Sequence, residues 1–318
     1  MPKPSVTIAF VQRERFSTSE ASLESILRNT PDDVALLCID AGSPRRTRNY
    51  LDAQGRAHGF RIRRVTGFLS PIEARNIALE EIDTKYVVFV DNDVIVTPGW
   101  LEALVACAEN TGADVVTPLI CQGPPLNVEV HTAGGDVRIR EQDGKRVFSE
   151  VQRFLGRPVA EVEPDLVPGP TRFAEFHCLL ARTALFNDIG PLDEGLLATS
   201  EHLDFCLSVI EHGGAIHFEP RARVTYLRPP PVRLSDIPFF MLRWSDDWAE
   251  TSERHFHAKW NVVYEDRVVR FAAGHRRLAL RRLRALALRF LGWRLSQRLS
   301  AAIDNAVVSW AKRRHAGT

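Results

Sequence analysis

Cysteine is scarce in this sequence, and no two cysteines form a C-x-x-C pair. The five that occur are Cys38, Cys107, Cys121, Cys178 and Cys206. An odd number without paired spacing argues against both a disulfide framework and a zinc site. Four of them fall in apolar segments, so we expect small core residues in a reducing compartment.

Long apolar runs are also missing. No window reaches the roughly 18 uninterrupted apolar residues of a membrane-spanning helix. The first apolar stretch ends at Gln12, which does not fit the layout of a signal peptide. The 318 residues are 45% hydrophobic and 25% charged. This composition predicts a soluble, cytoplasmic protein with one large domain, or one domain and an appendage.

The net charge of +1 hides an uneven distribution of charge. From Arg267 onward, thirteen Lys and Arg residues accompany one acid, Asp304. No DNA- or RNA-binding motif goes with this charge, so nucleic acid is not an expected partner. Residues 276–299 place leucines at helical spacing against arginines, with Trp293 near the centre. Such a helix can make peripheral contact with anionic lipid, or pack on the catalytic domain or a partner subunit.

Strand-like and helix-like segments alternate through the first two thirds of the chain. Near-continuous apolar strands are predicted at 5–11, 34–40, 86–90 and 113–120. Two helices between them carry the S-x-x-E pattern of a capping box, at Ser17 and Ser70. This order predicts an α/β fold, a mixed, mainly parallel sheet with helices on both faces. A proline-rich break at 228–232 predicts a domain over 1–230 and a helical, Arg-rich appendage over 231–318.

The strand "YVVFV" runs directly into Asp91-Asn92-Asp93. In extended backbone, residues i and i+2 point to the same side, so Asp91 and Asp93 can present two carboxylates to one point. Mg²⁺ and Mn²⁺ prefer oxygen ligands of this kind, often shared with substrate phosphates. A solvated turn has the same composition. No G-x-G-x-x-G follows the first strand, which disfavours a dinucleotide fold.

A second acidic cluster opens a predicted helix within 199–214. Glu201, His202 and Asp204 lie in its first turn, where acids are favoured by the helix dipole in any case. A carboxylate or neutral imidazole beside a cleft can also accept a proton from an attacking hydroxyl. His177 lies in a predicted strand over 172–182; it can reach the cleft, although a lone strand histidine is more often structural.

Taken together, the segments resemble the family 2 glycosyltransferases of the GT-A fold over about residues 5–228. The resemblance rests on "SVTIAFV", "CIDAGS", "EARNIAL", "YVVFVDNDVIVTPGWLEALV", "GPLDEG" and "EHLDFCLSVIEHGGAIHFEPRARV". It implies an enzyme that moves a sugar from a nucleotide-diphosphate sugar, expected to be UDP-linked, to an acceptor hydroxyl. Inversion at the anomeric carbon, a glycan or lipid-linked acceptor and Mg²⁺ or Mn²⁺ as cofactor follow from the same resemblance.

The resemblance also implies roles for individual residues. Asp40 would contact the nucleobase or its ribose, and Arg75 and Asn76 would line the nucleotide site. Asp91 would lie near the ribose and the metal, and Asp93 would bind the metal directly.

Two positions depart from the family pattern. Glu201-His202 replaces the usual Glu-Asp, which leaves Glu201, His202 and Asp204 as candidate bases. Tyr226 replaces a frequent metal-binding histidine, which implies weaker metal binding or a water in its place. A degenerate, non-catalytic nucleotide-sugar-binding protein is therefore the main alternative. A nucleotidyltransferase is disfavoured because a glycine-rich phosphate loop is missing after the first strand.

Overall fold

The computed structural model describes residues 5–228, 232–263 and 267–315. Strands and helices alternate through its first part, as the apolar runs predict. In order they are β1 (Val6–Val11), α1 (Ser19–Asn29), β2 (Ala35–Ala41), α2 (Arg45–His58), β3 (Arg61–Val65), α3 (Pro71–Glu81), β4 (Tyr86–Asp91), β5 (Val94–Val96), α4 (Trp100–Thr111) and β6 (Val115–Gln122).

The following part is looser and ends in helices. Its elements are β7 (Val130–Thr132), β8 (Gly135–Gln142), β9 (Lys145–Gln152), α5 (Val159–Val162), β10 (Gly169–Thr171), β11 (Cys178–Arg182), α6 (Leu185–Ile189), α7 (Glu201–Glu211), β12 (Ile216–Tyr226), α8 (Ile237–Arg243), α9 (Asp246–Trp260), α10 (Arg267–Ala279) and α11 (Arg281–His315). The strand predicted over 172–182 begins only at Cys178. Residues 173–177 approach it as irregular chain.

The described strands form one mixed sheet and a separate hairpin of β8 and β9. The order across the sheet is β10-β12-β6-β11-β4-β1-β2-β3, with β5 on β12 and β7 on β6. Strands β4, β1, β2 and β3 run parallel, as do β6 and β12. Strand β11 runs antiparallel between β4 and β6. The predicted α/β class is confirmed, and the amino end of β11 lies beside the carboxyl end of β4.

The sheet buries apolar side chains on both faces. Ile8, Val88 and Trp100 belong to the core cluster on one face. The opposite cluster includes Phe89 of β4 together with Phe256 and Trp260 of α9. The helical region after β12 therefore contributes directly to the core of the sheet.

The two predicted capping boxes have different outcomes. Ser70 caps α3, with reciprocal hydrogen bonds to Glu73, as predicted. The prediction of a capping box at Ser17 is wrong, because α1 begins at Ser19 and its N-cap residue, Thr18, makes no capping hydrogen bond. The Ser17 hydroxyl instead donates to Asp236 Oδ2 at 2.6 Å, and the Phe16 and Ser17 amides donate to Oδ1 at 3.0 Å. A tertiary contact with the start of α8 thus replaces the local cap.

The C-terminal helix α11 packs against α8. Near the end of this helix, Lys312 Nζ lies 2.9 Å from Asp247 Oδ2 and His315 Nε2 lies 3.1 Å from Glu73 Oε2. This part of the helix therefore packs on the rest of the protein, which is one of the two alternatives that its sequence allows. The Trp293 side chain lies outside the described residues. None of the described helices combines the length and hydrophobicity that crossing a bilayer requires.

Candidate active site

Asp91 and Asp93 lie at the carboxyl edge of β4 and are completely buried. Between them, Asn92 points the other way: its side-chain amide donates to Arg15 O at 2.5 Å and to Ser19 Oγ at 2.8 Å. Its Oδ1 accepts from the Arg13 amide at 3.0 Å. The asparagine thus fixes the loop after β1, whereas the two carboxylates share the opposite side, as the period of an extended strand predicts.

The two carboxylates are incompletely satisfied. Asp91 Oδ1 accepts from Arg75 Nη2 at 2.6 Å. Its Oδ2 has no hydrogen-bond donor, although Arg13 Nε lies at 3.4 Å and His177 Nδ1 at 3.5 Å. Neither oxygen of Asp93 has a hydrogen-bond partner within the described residues. Burial raises the pKa of Asp93 to about 7. A bound cation would remove this cost, because buried carboxylates need a partner.

Basic and acidic side chains are balanced around this point. The buried or nearly buried groups are Arg13, Arg15, Arg75 and Arg243, with Glu14, Asp91, Asp93 and Glu201. Two nitrogens on each of Arg75 and Arg243, Nε and Nη1, have no hydrogen-bond partner within the described residues. Burial lowers the pKa of Arg243 to about 10. The site can thus take up an anion and a cation together without a large change in net charge.

Glu201 and His202 start α7 directly after a strained residue. Ser200 has φ of 65°, a left-handed conformation that is uncommon for serine. Its hydroxyl donates to Glu253 Oε1 of α9 at 2.6 Å. Glu201 Oε1 accepts from Arg243 Nη2 at 3.2 Å. Burial opposes the ionisation of Glu201, but Arg243, together with His202, Arg75 and Arg13, outweighs it and the pKa of Glu201 is lowered. Glu201 is therefore an ionised, paired carboxylate.

His202 faces a carboxylate that the sequence did not single out. Its Nε2 lies 4.0 Å from Glu175 Oε1. Glu175 Oε2 also lies 2.8 Å from His131 Nε2 and 3.6 Å from His177 Nε2. Burial opposes the ionisation of Glu175, but the imidazoles of His131, His177 and His202 outweigh it and lower its pKa. Three histidines thus surround one buried carboxylate.

Tyr226 occupies the position where the resemblance places a metal-binding histidine. Its ring stacks on that of His177, with 4.1 Å between the ring centroids. Its hydroxyl donates to Glu14 Oε1 at 3.3 Å. An imidazole thus reaches this region from the chain before β11 instead of from the end of β12.

Several of these groups line a cavity of about 680 Å³ between the sheet edge and the helices that follow it, although Asp93 and Arg75 are not among its wall residues. The wall includes Asp91, His177, Glu201, His202 and Tyr226, and extends to Trp244, directly after α8, and to Phe271 of α10. Of the predicted catalytic residues, Glu201 and His202 face this space.

Three other predicted residues have partners elsewhere. Asp40 accepts from Arg64 Nε at 2.8 Å and from Gln12 Nε2 at 3.1 Å. The Asn76 side chain binds Leu192 O at 2.8 Å and Glu194 Oε1 at 2.9 Å. Asp204 accepts from Trp260 Nε1 at 2.8 Å and Lys259 Nζ at 2.9 Å. Asp204 and Asn76 therefore connect parts of the fold, and neither is among the residues of the cavity wall.

Among the residues that the structure describes, two groups of side chains have the ligand types and spacing of a metal site. One is Asp91, Asp93 and His177, and the other is His131, Glu175 and His177. In each group the ligand atoms lie within 4.8 Å of one another. The unpartnered oxygens of Asp91 and Asp93 show that the predicted metal-binding pair suits a hard divalent cation.

Comparison with known proteins gives a family and a fold. Residues 5–155 match the family model described as Glycosyl transferase family 2. Two curated relatives, each named pre-mycofactocin glycosyltransferase, from Mycobacterium tuberculosis strains CDC 1551 / Oshkosh and ATCC 25618 / H37Rv, are 27% identical over 156 residues. The match covers 49% of this chain and only 30% of each relative. Residues 156–228, which include Glu201 and His202, lie outside the family match.

Two solved structures share the fold. The structure of GalNAc-T7 with UDP, GalNAc and Mn²⁺ has a TM-score of 0.56 at 17% identity, covering 86% of this chain and 55% of that one. The structure of S. aureus TarS 1–349 with UDP-GlcNAc has a TM-score of 0.50 at 15% identity, covering 98% and 92%. The GT-A fold predicted from the sequence is confirmed. The resemblance to the family 2 glycosyltransferases that the sequence predicts is confirmed by the family match over residues 5–155.

Proposed function

We propose that the protein transfers a sugar from a UDP-linked donor to an acceptor hydroxyl, with inversion and with the help of Mg²⁺ or Mn²⁺. The observation that carries the proposal is a pair of buried carboxylates, Asp91 and Asp93, at the carboxyl edge of β4, with three of their four oxygens lacking a hydrogen-bond partner within the described residues. Ligands of open α/β sheets bind at this edge. The relatives named as glycosyltransferases and the UDP in both structural neighbours support the donor class.

Asp91 and Asp93 would hold the cation, and Asp40 would contact the nucleoside two strands away. A divalent cation at this point neutralises the diphosphate as it leaves. Arg243 lines the cavity, and its Nε and Nη1, which have no hydrogen-bond partner within the described residues, would bind phosphate oxygens.

His202 is the proposed base. Glu201 is already paired with Arg243, and Asp204 is bound to Trp260 and Lys259. His202 faces the cavity, and Glu175 can stabilise its protonated form. The acceptor hydroxyl gives its proton to the imidazole as its oxygen bonds to the anomeric carbon. The bond from that carbon to the phosphate oxygen breaks, and its electron pair leaves with the diphosphate.

The acceptor is proposed to be a glycan or a lipid-linked saccharide that enters past Trp244 and Phe271. Trp244 directly follows α8 and Phe271 belongs to α10, so the proposed appendage at 231–318 would form the acceptor side of the cavity. Peripheral membrane contact through the basic part of α11 would suit a lipid-linked acceptor. A cytoplasmic location stays a prediction.

The proposal is tested by incubating the protein with UDP-sugars and Mn²⁺ and measuring release of UDP with and without saccharide acceptors. We expect slow hydrolysis without acceptor, and loss of turnover in Asp93→Asn with an unchanged circular dichroism spectrum. Binding of UDP-sugars, seen as thermal shifts without any turnover, would instead identify the degenerate binding protein. Normal turnover in Asp93→Asn, or in the presence of a chelator, would remove the metal from the reaction.

A further inference from the structure

We propose that His177 supplies the third protein ligand, through Nδ1, to the cation held by Asp91 and Asp93, and that Glu175 orients its ring. This inference rests on the proposed function only for the presence of a cation. It replaces the expectation that Tyr226, in the position of a histidine, leaves metal binding weak or completed by water.

The sheet places His177 beside the carboxylates. The Asp91 amide donates to the His177 carbonyl at 3.1 Å, where β11 starts antiparallel to the end of β4. His177 Nδ1 lies 3.5 Å from Asp91 Oδ2. A ring nitrogen of His177 also lies within 4.8 Å of a carboxylate oxygen of Asp93. The His177 side chain is only 4% exposed, and no described residue makes a hydrogen bond to its Nδ1. An unpartnered, buried ring nitrogen is thus aimed at the two carboxylates.

Glu175 favours the tautomer that metal binding requires. His177 Nε2 lies 3.6 Å from Glu175 Oε2, the oxygen that His131 Nε2 approaches at 2.8 Å from another side. A shift of about 0.5 Å would bring the pair into hydrogen-bond range. A proton on Nε2 directed at this carboxylate leaves the Nδ1 lone pair free for the cation. Metal-bound histidines commonly have such a carboxylate on the second nitrogen.

Tyr226 holds the ring in place. The two rings stack with 4.1 Å between centroids and an angle of 30° between their planes. The tyrosine is fixed in turn by its hydrogen bond to Glu14. The residue that replaces the expected histidine therefore forms a platform for another one.

The second candidate group, His131, Glu175 and His177, is a poorer site for Mg²⁺ or Mn²⁺. It offers one carboxylate, which already faces three imidazoles, whereas Asp91 and Asp93 offer two carboxylates. Hard cations prefer oxygen ligands. We therefore assign the cation to Asp91, Asp93 and His177.

Mn²⁺ binding tests this assignment without any need for turnover. Mn²⁺ affinity is measured by electron paramagnetic resonance in the presence of UDP, for the full chain and its variants. We expect His177→Ala to weaken binding by more than about tenfold, and Glu175→Gln by about 10–100-fold. His131→Ala is the matched control, because His131 also contacts Glu175 but belongs only to the other group; we expect a change below about twofold. Pulsed measurements on the wild-type protein should show coupling to a histidine nitrogen, which needs no variant to fold.

The outcomes separate this inference from the proposed function. Wild-type protein that binds Mn²⁺ without nitrogen coupling, or His177→Ala that binds normally, would overturn the assignment. Equal losses in His131→Ala and His177→Ala would move the ion to the second group and also overturn it. Failure to turn over any UDP-sugar, with nitrogen-coupled Mn²⁺ binding intact, would instead count against the proposed function alone.

Discussion

The pair formed by Arg243 and Glu201 gives a sharp test of how the site is held together. The Arg243 side chain is 1% exposed and that of Glu201 8%, with 3.2 Å between Nη2 and Oε1. Replacing Arg243 by methionine keeps much of the length and removes the charge, so Glu201 remains buried without its main partner. Breaking a buried ion pair in this way costs about 3–5 kcal/mol. That is a large part of the 5–15 kcal/mol by which a typical domain is stable.

The stability lost in Arg243→Met should depend on pH in a definite direction. In the wild type the pKa of Glu201 is lowered by folding, because Arg243, His202, Arg75 and Arg13 together outweigh the effect of burial. The stability from this carboxylate is therefore present above its unfolded pKa of about 4.3, and it is lost as the pH falls through the lower folded pKa. In Arg243→Met the largest of these favourable effects is removed, so the folded pKa of Glu201 should rise. The destabilisation should then be largest near neutral pH and shrink as the pH falls towards about 4.3.

Urea unfolding at pH 7.5 and pH 5.5 measures both effects. The double variant Arg243→Met, Glu201→Gln removes both charges, so we expect it to regain about 2 kcal/mol of the loss of the single variant. Arg157→Met removes half of an exposed pair with Glu161, at 53% and 58% side-chain exposure, and should cost no more than about 1 kcal/mol. A single Arg243→Met variant within about 1 kcal/mol of wild type, or a double variant with no recovery, would refute the reasoning.

Three further predictions concern other parts of the molecule. Asp236→Ala removes the acceptor of four donors, which are the backbone amides of Phe16, Ser17 and Arg233 and the Ser17 hydroxyl. We expect the free energy of unfolding in urea to fall by about 3 kcal/mol, and an unchanged unfolding midpoint would contradict this. His202→Ala should lower kcat by about 10²–10⁴-fold, whereas His202→Asp, which restores the residue usual in the family, should keep most of the activity; equal losses would exclude a base at this position. Full-length protein should float with anionic liposomes, and a truncation after residue 266 should not; equal flotation would exclude the basic helix as the membrane contact.

The sequence predicts well what depends on neighbouring residues. The apolar strands and the Ser70 capping box are local patterns, and they place the sheet and its carboxyl edge. The alternation along an extended strand correctly separates Asn92 from Asp91 and Asp93. The capping box predicted at Ser17 is wrong because the carboxylate of Asp236, directly before α8, accepts hydrogen bonds from the amides of Phe16 and Ser17. No pattern in the local sequence predicts this contact.

The rest of the site is assembled from distant parts of the chain. Glu175 and His177 follow a period of two, which is a signal that they share a side. Only the antiparallel pairing of β11 with β4 brings them to Asp91, and that pairing is not visible in their own segment. Arg243 belongs to a helix some forty residues beyond Glu201 along the chain. Asp204 and Asn76 are residue types that often occur in active sites, but here they make structural hydrogen bonds, Asp204 with Trp260 and Asn76 with Leu192.

The hydrogen bond from Ser200 to Glu253 has a practical consequence for exchanging parts between related enzymes. The turn that presents His202 is held by α9, and Arg243 of α8 reaches Glu201 from the same region. A chimera joined at residue 230 would take the sheet and this turn from one parent and the helices that hold the turn from another. Such a hybrid can fold while His202, the proposed base, is misaligned. A junction beyond α9 keeps the turn with its own supports, so acceptor preference is better exchanged through α10 and α11.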